Sequence, residues 1–290
     1  MDRRIKELLN YGAALLEENK SLTPRLDAEV LMAFLLNKER SFLFMYPDNE
    51  LDDSIIKAYL SLINERKNGK PIAYITSHQE FMGIDFYVNE HVLIPRPDTE
   101  ILVESILKTV NKESSLNILD LGCGSGAIAV SLAYYLPKAF IYGVDIEPDA
   151  LLISEKNAKK QGLDYRMKFI LGNLFEPLTH NIKFDVIVSN PPYIPTQEIE
   201  KLQVEVSNYE PRAALDGGID GLDFYRKIIS EAPKYIRDGG YLFLEIGYDQ
   251  ASDISDLMSE NKSYTETEVI KDLAGLDRVI RAQVQMRDER

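Results

Sequence analysis

Asn117-Ile-Leu-Asp-Leu-Gly-Cys-Gly-Ser-Gly126, running on into Ala127-Ile-Ala-Val-Ser-Leu-Ala133, is the stretch on which the fold turns. An apolar run meets three glycines at alternate positions and then an alanine-rich helical segment. Gly122, Gly124 and Gly126 let the backbone turn tightly and approach a ligand closely. The spacing is not the dinucleotide pattern G-x-G-x-x-G, and no Lys follows to make a phosphate-cradling loop. Working outward, apolar segments near 117–121, 140–145, 167–171, 184–189 and 240–246 alternate with helical stretches. That alternation predicts an α/β fold with a doubly wound, Rossmann-like sheet. Tyr264 to Ile270 and Asp277 to Val284 are expected to close it as an antiparallel pair.

The residues that end these strands carry the chemistry, because open α/β sheets bind ligands beyond the carboxyl ends of their strands. Asp145 ends the second strand, where an acidic side chain accepts hydrogen bonds from ribose hydroxyls. Asp120, just before the glycines, is expected to face an ammonium group. Asn173 and Leu174 follow the third strand and would border an adenine, one by hydrogen bond and one by apolar contact; ordinary core is the plainer reading of Leu174. Cys123, the single cysteine, lies inside the glycine loop and reads as a packing residue, with Ser125 beside it. After the fourth strand comes Asn190-Pro191-Pro192-Tyr193. Two prolines have fixed φ and no N–H, so the turn is stiff and offers acceptors without donors. Acceptors beside an aromatic ring suit a flat N–H-bearing group, such as an amide or a nucleobase amine. In sheet order, Asp120, the glycines, Asp145 and this turn point to S-adenosylmethionine as the cofactor.

The 290 residues suggest two domains. Residues 1–71 have helical periodicity, with Ile5, Leu8, Leu9, Ala13, Leu15 and Leu16 on one face and Thr23-Pro24 as a helix start. They read as a small helical bundle that recognises a partner or caps the site. In residues 72–97, Ile72 to Thr76 and Ile84 to Val88 read as two strands of a hairpin linker around Met82-Gly83. Val92-Leu-Ile-Pro-Arg-Pro-Asp-Thr-Glu100 leads into the main domain, 98–290, with Asp98 or Thr99 expected to cap a helix through Leu107. In the long connection after Tyr193, Glu210 and Arg212 either pair with each other or touch substrate.

A net charge of −14 argues against stable, sequence-independent binding of nucleic acid. One cysteine allows no internal disulfide, which fits a reducing cytoplasm. His78, His91 and His180 lack metal-ligand spacing, and no run is long enough to cross a bilayer.

Four motifs together, Ile94-Pro-Arg-Pro-Asp-Thr-Glu100, Asp120 to Gly126, Asn190 to Ile194 and Glu210-Pro-Arg-Ala-Ala-Leu-Asp-Gly-Gly218, resemble the PrmC/HemK family of protein-glutamine methyltransferases. The resemblance extends over nearly the whole chain, including Leu273-Ala-Gly-Leu-Asp-Arg-Val279. It implies methylation of the glutamine of the Gly-Gly-Gln loop in class 1 peptide chain release factors; a monomer is expected, though nothing in the sequence fixes the oligomeric state. It implies that Asn190 and the Pro191 backbone hold the glutamine amide while Tyr193 packs on it. Pro192, Arg96, Glu210 and Arg212 would complete the substrate site. Gly122 to Gly126, Asp145, Leu174 and Asn190 would line the cofactor site. The chain departs from the family at Asn173, often Asp, at Leu174, often bulkier or aromatic, and at Ser77, commonly Gly. Direct methyl transfer needs no general base beforehand, because the N-methylated amide is strongly acidic. The alternative is an adenine or guanine amino methyltransferase gripping a flipped base with the same acceptors. A small-molecule methyltransferase or a non-catalytic cofactor module accounts for fewer of these motifs.

Overall fold

A computed structural model describes residues 2–18, 21–179 and 181–285; His180 and 286–290 lie outside the described residues. The chain forms two compact units, Met1–His78 with Gln203–Tyr209, and Gln79–Leu202 with Glu210–Arg290.

The first unit contains α1 (Ile5–Glu18), α2 (Pro24–Leu36), α3 (Arg40–Met45), α4 (Asp53–Lys67) and α5 (Ile72–Thr76). Its core is one apolar cluster that includes Leu8, Leu16, Leu31, Met32, Leu43, Tyr59 and Ile63. Pro24 opens α2 with its fixed φ. Asp27, buried in the first turn of α2, accepts from the hydroxyls of Ser21 (2.9 Å) and Thr23 (2.8 Å). The strand expected over Ile72 to Thr76 is a helix instead. The Pro71 carbonyl accepts from the N–H groups of Tyr74 and Ile75, both at 3.1 Å, and Thr76 Oγ1 donates to the Ile72 carbonyl at 2.9 Å. The short segment 203–209, which includes α9 (Val204–Ser207), belongs to this unit although it sits in the long connection after Tyr193. Arg66 bonds both Asp27 (2.7 Å) and Glu205 (2.6 Å), and the Tyr209 hydroxyl donates to the Asn68 carbonyl at 3.0 Å.

The second unit begins with a small hairpin, β1 (Gln79–Phe81) and β2 (Ile84–Phe86), turning at Met82-Gly83. It continues with α6 (Pro97–Thr109), β3 (Asn117–Leu121), α7 (Ala127–Tyr135), β4 (Phe140–Asp145), α8 (Pro148–Lys160), β5 (Met167–Leu171) and β6 (Phe184–Ser189). It ends with α10 (Asp223–Glu231), β7 (Ile236–Glu245), α11 (Ala251–Glu260), β8 (Tyr264–Lys271) and β9 (Asp277–Val284). The seven-stranded sheet has the order β5-β4-β3-β6-β7-β9-β8. The first five strands in this order are parallel, and β9 and β8 close the edge antiparallel, as expected. On one face Leu119, Leu121, Ile187 and Leu242 share a core with Tyr225 and Ile228 of α10 and Ile254 and Met258 of α11. The alternating residues Ile118, Val186, Val188 and Phe243 are buried as well, on the face that α6, α7 and α8 cover.

Strand β3 is the switch point: the chain runs outward through β4 and β5 on one side and through β6 and β7 on the other. Register puts Ile170, Val144, Leu121, Ser189 and Leu244 in one row across the sheet. The residues one step further, Leu171, Asp145, Gly122, Asn190 and Glu245, share the next level.

Ser77 follows α5 with φ 56° and ψ 35°, a left-handed conformation that suits glycine. Ser77→Gly should raise the unfolding free energy by about 0.5–1 kcal/mol, the relieved strain less the added chain entropy. Urea unfolding measures this; an unchanged or lowered midpoint at constant slope would contradict it.

Candidate active site

A cleft opens in the second unit at the switch point. Gly122 and Gly124 form its floor, Asp145, Ile146, Glu147 and Ala150 one wall, and Gly172, Asn173 and Leu174 the next. Asn190, Pro192, Pro211, Ala213, Ala214 and Phe224 lie opposite, and His91, Val92 and Leu93 complete the rim.

The floor is shaped by positive φ at Gly122 (71°) and Gly124 (53°), and a Cβ on either would point into open space. The Gly124 N–H donates to Asp145 Oδ2 at 2.7 Å, and the Glu147 N–H donates to Oδ1 at 3.0 Å. Burial nevertheless pushes the Asp145 carboxyl above its usual range, with those backbone bonds pulling the other way. Each carboxylate oxygen keeps a lone pair for a further donor.

Behind the floor lies Asp120, fully buried and not part of the cleft surface. Its Oδ2 accepts from the Ala129 N–H at 3.1 Å, in the first turn of α7, and its Oδ1 has no partner among the described residues. Desolvation raises this carboxyl to about 8, opposed by the Ala129 bond and reinforced by the Asp145 charge. Cys123, Ser125 and Gly126 likewise serve the turn rather than the cleft. The Cys123 sulfur lies 3.7 Å from Ser154 Oγ, Asn157 Nδ2 donates to the Ser125 carbonyl at 2.8 Å, and Gly126 packs on Ser154. Burial pushes the Cys123 thiol well above its usual value, so it is inert.

Asn190 and Pro192 face the cleft, whereas Pro191 is buried and Tyr193 is half-buried away from the lining. The Asn190 Nδ2 donates to Thr99 Oγ1 at 3.2 Å. Thr99 was expected as a helix cap; it lies inside α6, whose N-cap position is Arg96, and it turns its hydroxyl to Asn190 instead. Burial, with the Glu245 charge next in size, pushes the Tyr193 hydroxyl up to about 12, so it stays protonated. The loop after Tyr193 is laced to residues 215–218: Ile194 N–H to the Leu215 carbonyl (3.0 Å) and Gly217 N–H to the Ile194 carbonyl (2.9 Å). A side chain at Gly221 would meet the Tyr193 carbonyl at 2.4 Å, so the two backbones can approach only with glycine there.

The expected Glu210–Arg212 pair does not form. Glu210 is buried and pairs with Arg96, and Arg212 reaches Asp216 at 3.5 Å. Neither arginine lines the cleft.

A model of the methyltransferase domain matches residues 112–284, and one of the PrmC N-terminal domain matches residues 7–76. The chain is 42% identical to the release factor glutamine methyltransferase of Clostridium acetobutylicum, over 96% of this chain and 98% of that one. It is 45% identical to the protein of the same name from Moorella thermoacetica, over 88% and 89%. The chain belongs to the release factor glutamine methyltransferase family. Among solved structures, a Pyrococcus furiosus methyltransferase superposes with TM-score 0.53 at 16% identity, covering 71% of this chain and 91% of that one. A Thermus thermophilus 16S rRNA N2 G1207 methyltransferase, solved with AdoMet and guanosine, gives 0.51 at 19% identity over 72% and 50%. At these identities the likeness establishes the shared fold.

As a member of this family, the chain uses S-adenosylmethionine, and the cleft fits that group. The glycine floor leaves room at backbone distance, Asp145 offers carboxylate lone pairs, and Ile146, Ala150 and Leu174 are apolar walls for a flat base. Leu174 has φ 50°, a costly conformation for a branched side chain, and it lines the cleft while also touching the core. The Asn173 amide donates to Glu176 Oε1 at 2.9 Å, which leaves its carbonyl as the end for a ligand.

Thr99, Ile146, Phe224 and Glu245 were missed from the sequence. The signal was present for Glu245, since it ends a strand as Asp145 does.

Asp145→Ala should weaken S-adenosylmethionine binding at least tenfold, about 1.4 kcal/mol, while kcat at saturating cofactor falls much less. Calorimetric titration beside steady-state kinetics separates the two; unchanged affinity would remove Asp145 from the cofactor site.

Proposed function

We propose that this protein transfers a methyl group from S-adenosylmethionine to the side-chain amide nitrogen of the Gly-Gly-Gln glutamine in class 1 peptide chain release factors. The observation that carries this reading is the position of Asn190. It faces the same cleft as Gly122 and Asp145, and its Nδ2 is engaged by Thr99, so its carbonyl is the end left for an incoming N–H. The full-length likeness to release factor glutamine methyltransferases supports glutamine as the owner of that N–H.

When bound, the cofactor supplies a methyl group on a sulfonium, a strong electrophile. The protein's task is the nucleophile. A primary amide nitrogen is weakly nucleophilic because its lone pair is delocalised into the carbonyl. The Asn190 carbonyl and the Pro191 backbone carbonyl would each accept one of its N–H bonds, fixing its direction and stabilising the positive charge that grows on nitrogen. Pro191 and Pro192 contribute no donors that could compete, and their rings hold the acceptors in place. The half-buried Tyr193 would pack beside the amide. No residue needs to remove a proton first, because the methylated nitrogen loses one readily to water.

Labelled S-adenosylmethionine tests the acceptor directly. Label should enter an intact release factor and not one whose Gly-Gly-Gln glutamine is replaced. Label on DNA or rRNA with none on the factor would assign the same cleft to a nucleobase amine. Asn190→Ala should lower kcat by about 10²–10³-fold while changing cofactor affinity less than about twofold. Full activity in that variant would contradict the mechanism.

A further inference from the structure

Glu245 ends β7, next to β6 and level with Asn190. The side chain is 2% exposed, and its Oε2 has no partner among the described residues. The polar side chains of Thr99 and Asn190 face it and favour its charged form. Thr99 is itself 4% exposed and accepts from Asn190 Nδ2 at 3.2 Å. The three side chains therefore close a buried triangle behind the cleft. Nothing in methyl transfer itself uses a carboxylate at this place.

The hydrogen-bond inventory of the triangle has one solution when Glu245 is ionised. A carboxylate only accepts. Thr99 Oγ1 already accepts from Asn190, so its proton goes to Glu245. Both neighbours of the Asn190 amide are then acceptors for its N–H groups, and its Nδ2 must point inward. Flipping the amide would set its carbonyl against a carboxylate and present N–H groups to the substrate's own N–H.

We propose that Glu245 is the positioning residue that holds the Asn190 amide with its carbonyl toward the cleft, acting in part through the Thr99 hydroxyl. This rests on the reading of Asn190 as the acceptor for the substrate N–H. A neutral side chain at 245 can donate as well as accept, so it no longer excludes the flipped Asn190 amide, which presents a donor where an acceptor is needed.

The charged surroundings leave the carboxyl within reach of ordinary pH. Arg278 is the adjacent cation, but it is shared with Asp272 (3.1 Å) and Asp98 (3.2 Å). The Tyr193 and Tyr225 hydroxyls and Arg96 also face the cluster. Burial outweighs the bonds from Thr99 and the attraction of Arg278, and it pushes the Glu245 carboxyl up to about 7. The folded protein thus holds this proton more tightly than the unfolded chain. The stability cost of ionising Glu245 therefore grows as the pH rises from the usual carboxylate range toward about 7, is complete above that value, and is gone only below the usual carboxylate range.

Glu245→Gln keeps the shape and removes the charge. Its expected signature is a variant that is slower and more stable. At about pH 8.5, kcat should fall on the order of 10²-fold, as for a misplaced catalytic group, with S-adenosylmethionine affinity unchanged. The Tm gain over wild type should be large at about pH 8.5 and much smaller at about pH 5, where the folded Glu245 is protonated. Wild-type kcat should rise with pH through an apparent midpoint of about 7, and this step should be missing from Glu245→Gln. Thr99→Val should slow kcat in the same way, and Thr99→Ser should restore it. Wild-type kcat in Glu245→Gln, survival of the pH step in that variant, or an equal Tm gain at both pH values would each overturn the proposal. Failure of the glutamine reading is distinguishable: the wild-type enzyme would then label another acceptor, the kinetic comparison would be repeated on that acceptor, and the stability arm needs no substrate.

Discussion

The site depends on the register of five parallel strands around a reversal at β3. Because Ile170, Val144, Leu121, Ser189 and Leu244 align in one row, the next residues emerge together at the carboxyl edge. Gly122 becomes the floor, Asp145 a carboxylate wall and Asn190 the opposite side of the cleft, while Glu245 stays buried. A slip of one residue in any strand would flip its side chains to the other face and misplace that group. The apolar packing of α10 and α11 on one face and of α6 to α8 on the other therefore does more than bury surface: it fixes the level at which the chemistry sits.

The second layer of control is backbone bracing of the Asn190 loop. Prolines remove its donors, the bonds of Ile194 to Leu215 and Gly217 tie it to a neighbouring loop, and Gln250 Nε2 donates to the Tyr193 carbonyl at 3.1 Å. The Arg96–Glu210 pair joins the Pro-Arg-Pro entry to the start of the Glu-Pro-Arg segment. A pair with one partner this buried contributes little net stability after desolvation, but losing either partner leaves an uncompensated charge. Its role is to set where two loops meet. Arg96, expected from the sequence as a substrate contact, thus stands outside the cleft lining and pairs with Glu210.

The architecture was legible because long-range order here follows local pattern. The strand–glycine–helix stretch, the strand positions and the closing antiparallel pair all came from hydrophobic runs and turn residues. Ile72 to Thr76 failed because so short an apolar run fits a strand or a helical turn equally, and the Pro71 carbonyl decides between them. Glu210 failed for another reason: its partner Arg96 is distant in sequence, and the nearby Arg212 was the more visible candidate. Thr99 was assigned by the local rule for helix starts, yet its hydroxyl answers to a strand end brought alongside by the fold. Segment 203–209 joins the helical unit through the bond between Glu205 and Arg66, which no periodicity reveals. Pairings across the fold are invisible to local pattern, and the site is made largely of them.

The same limit explains the electrostatics. Asp120, Asp145 and Glu245 are three carboxyls that burial pushes upward along one sheet edge. An isolated buried carboxylate is costly, and burial accordingly holds Asp120, raised to about 8, in its neutral form at pH 7. A sulfonium cofactor would bring positive charge, and in the proposed reaction that charge would appear on an amide nitrogen beside Asn190. Acceptors that are already oriented stabilise that movement without reorganising, whereas water would have to turn its dipoles at the moment of reaction. The rigid acceptors thus answer one requirement: a weak nucleophile becomes competent when the place where its charge will appear is prepared in advance.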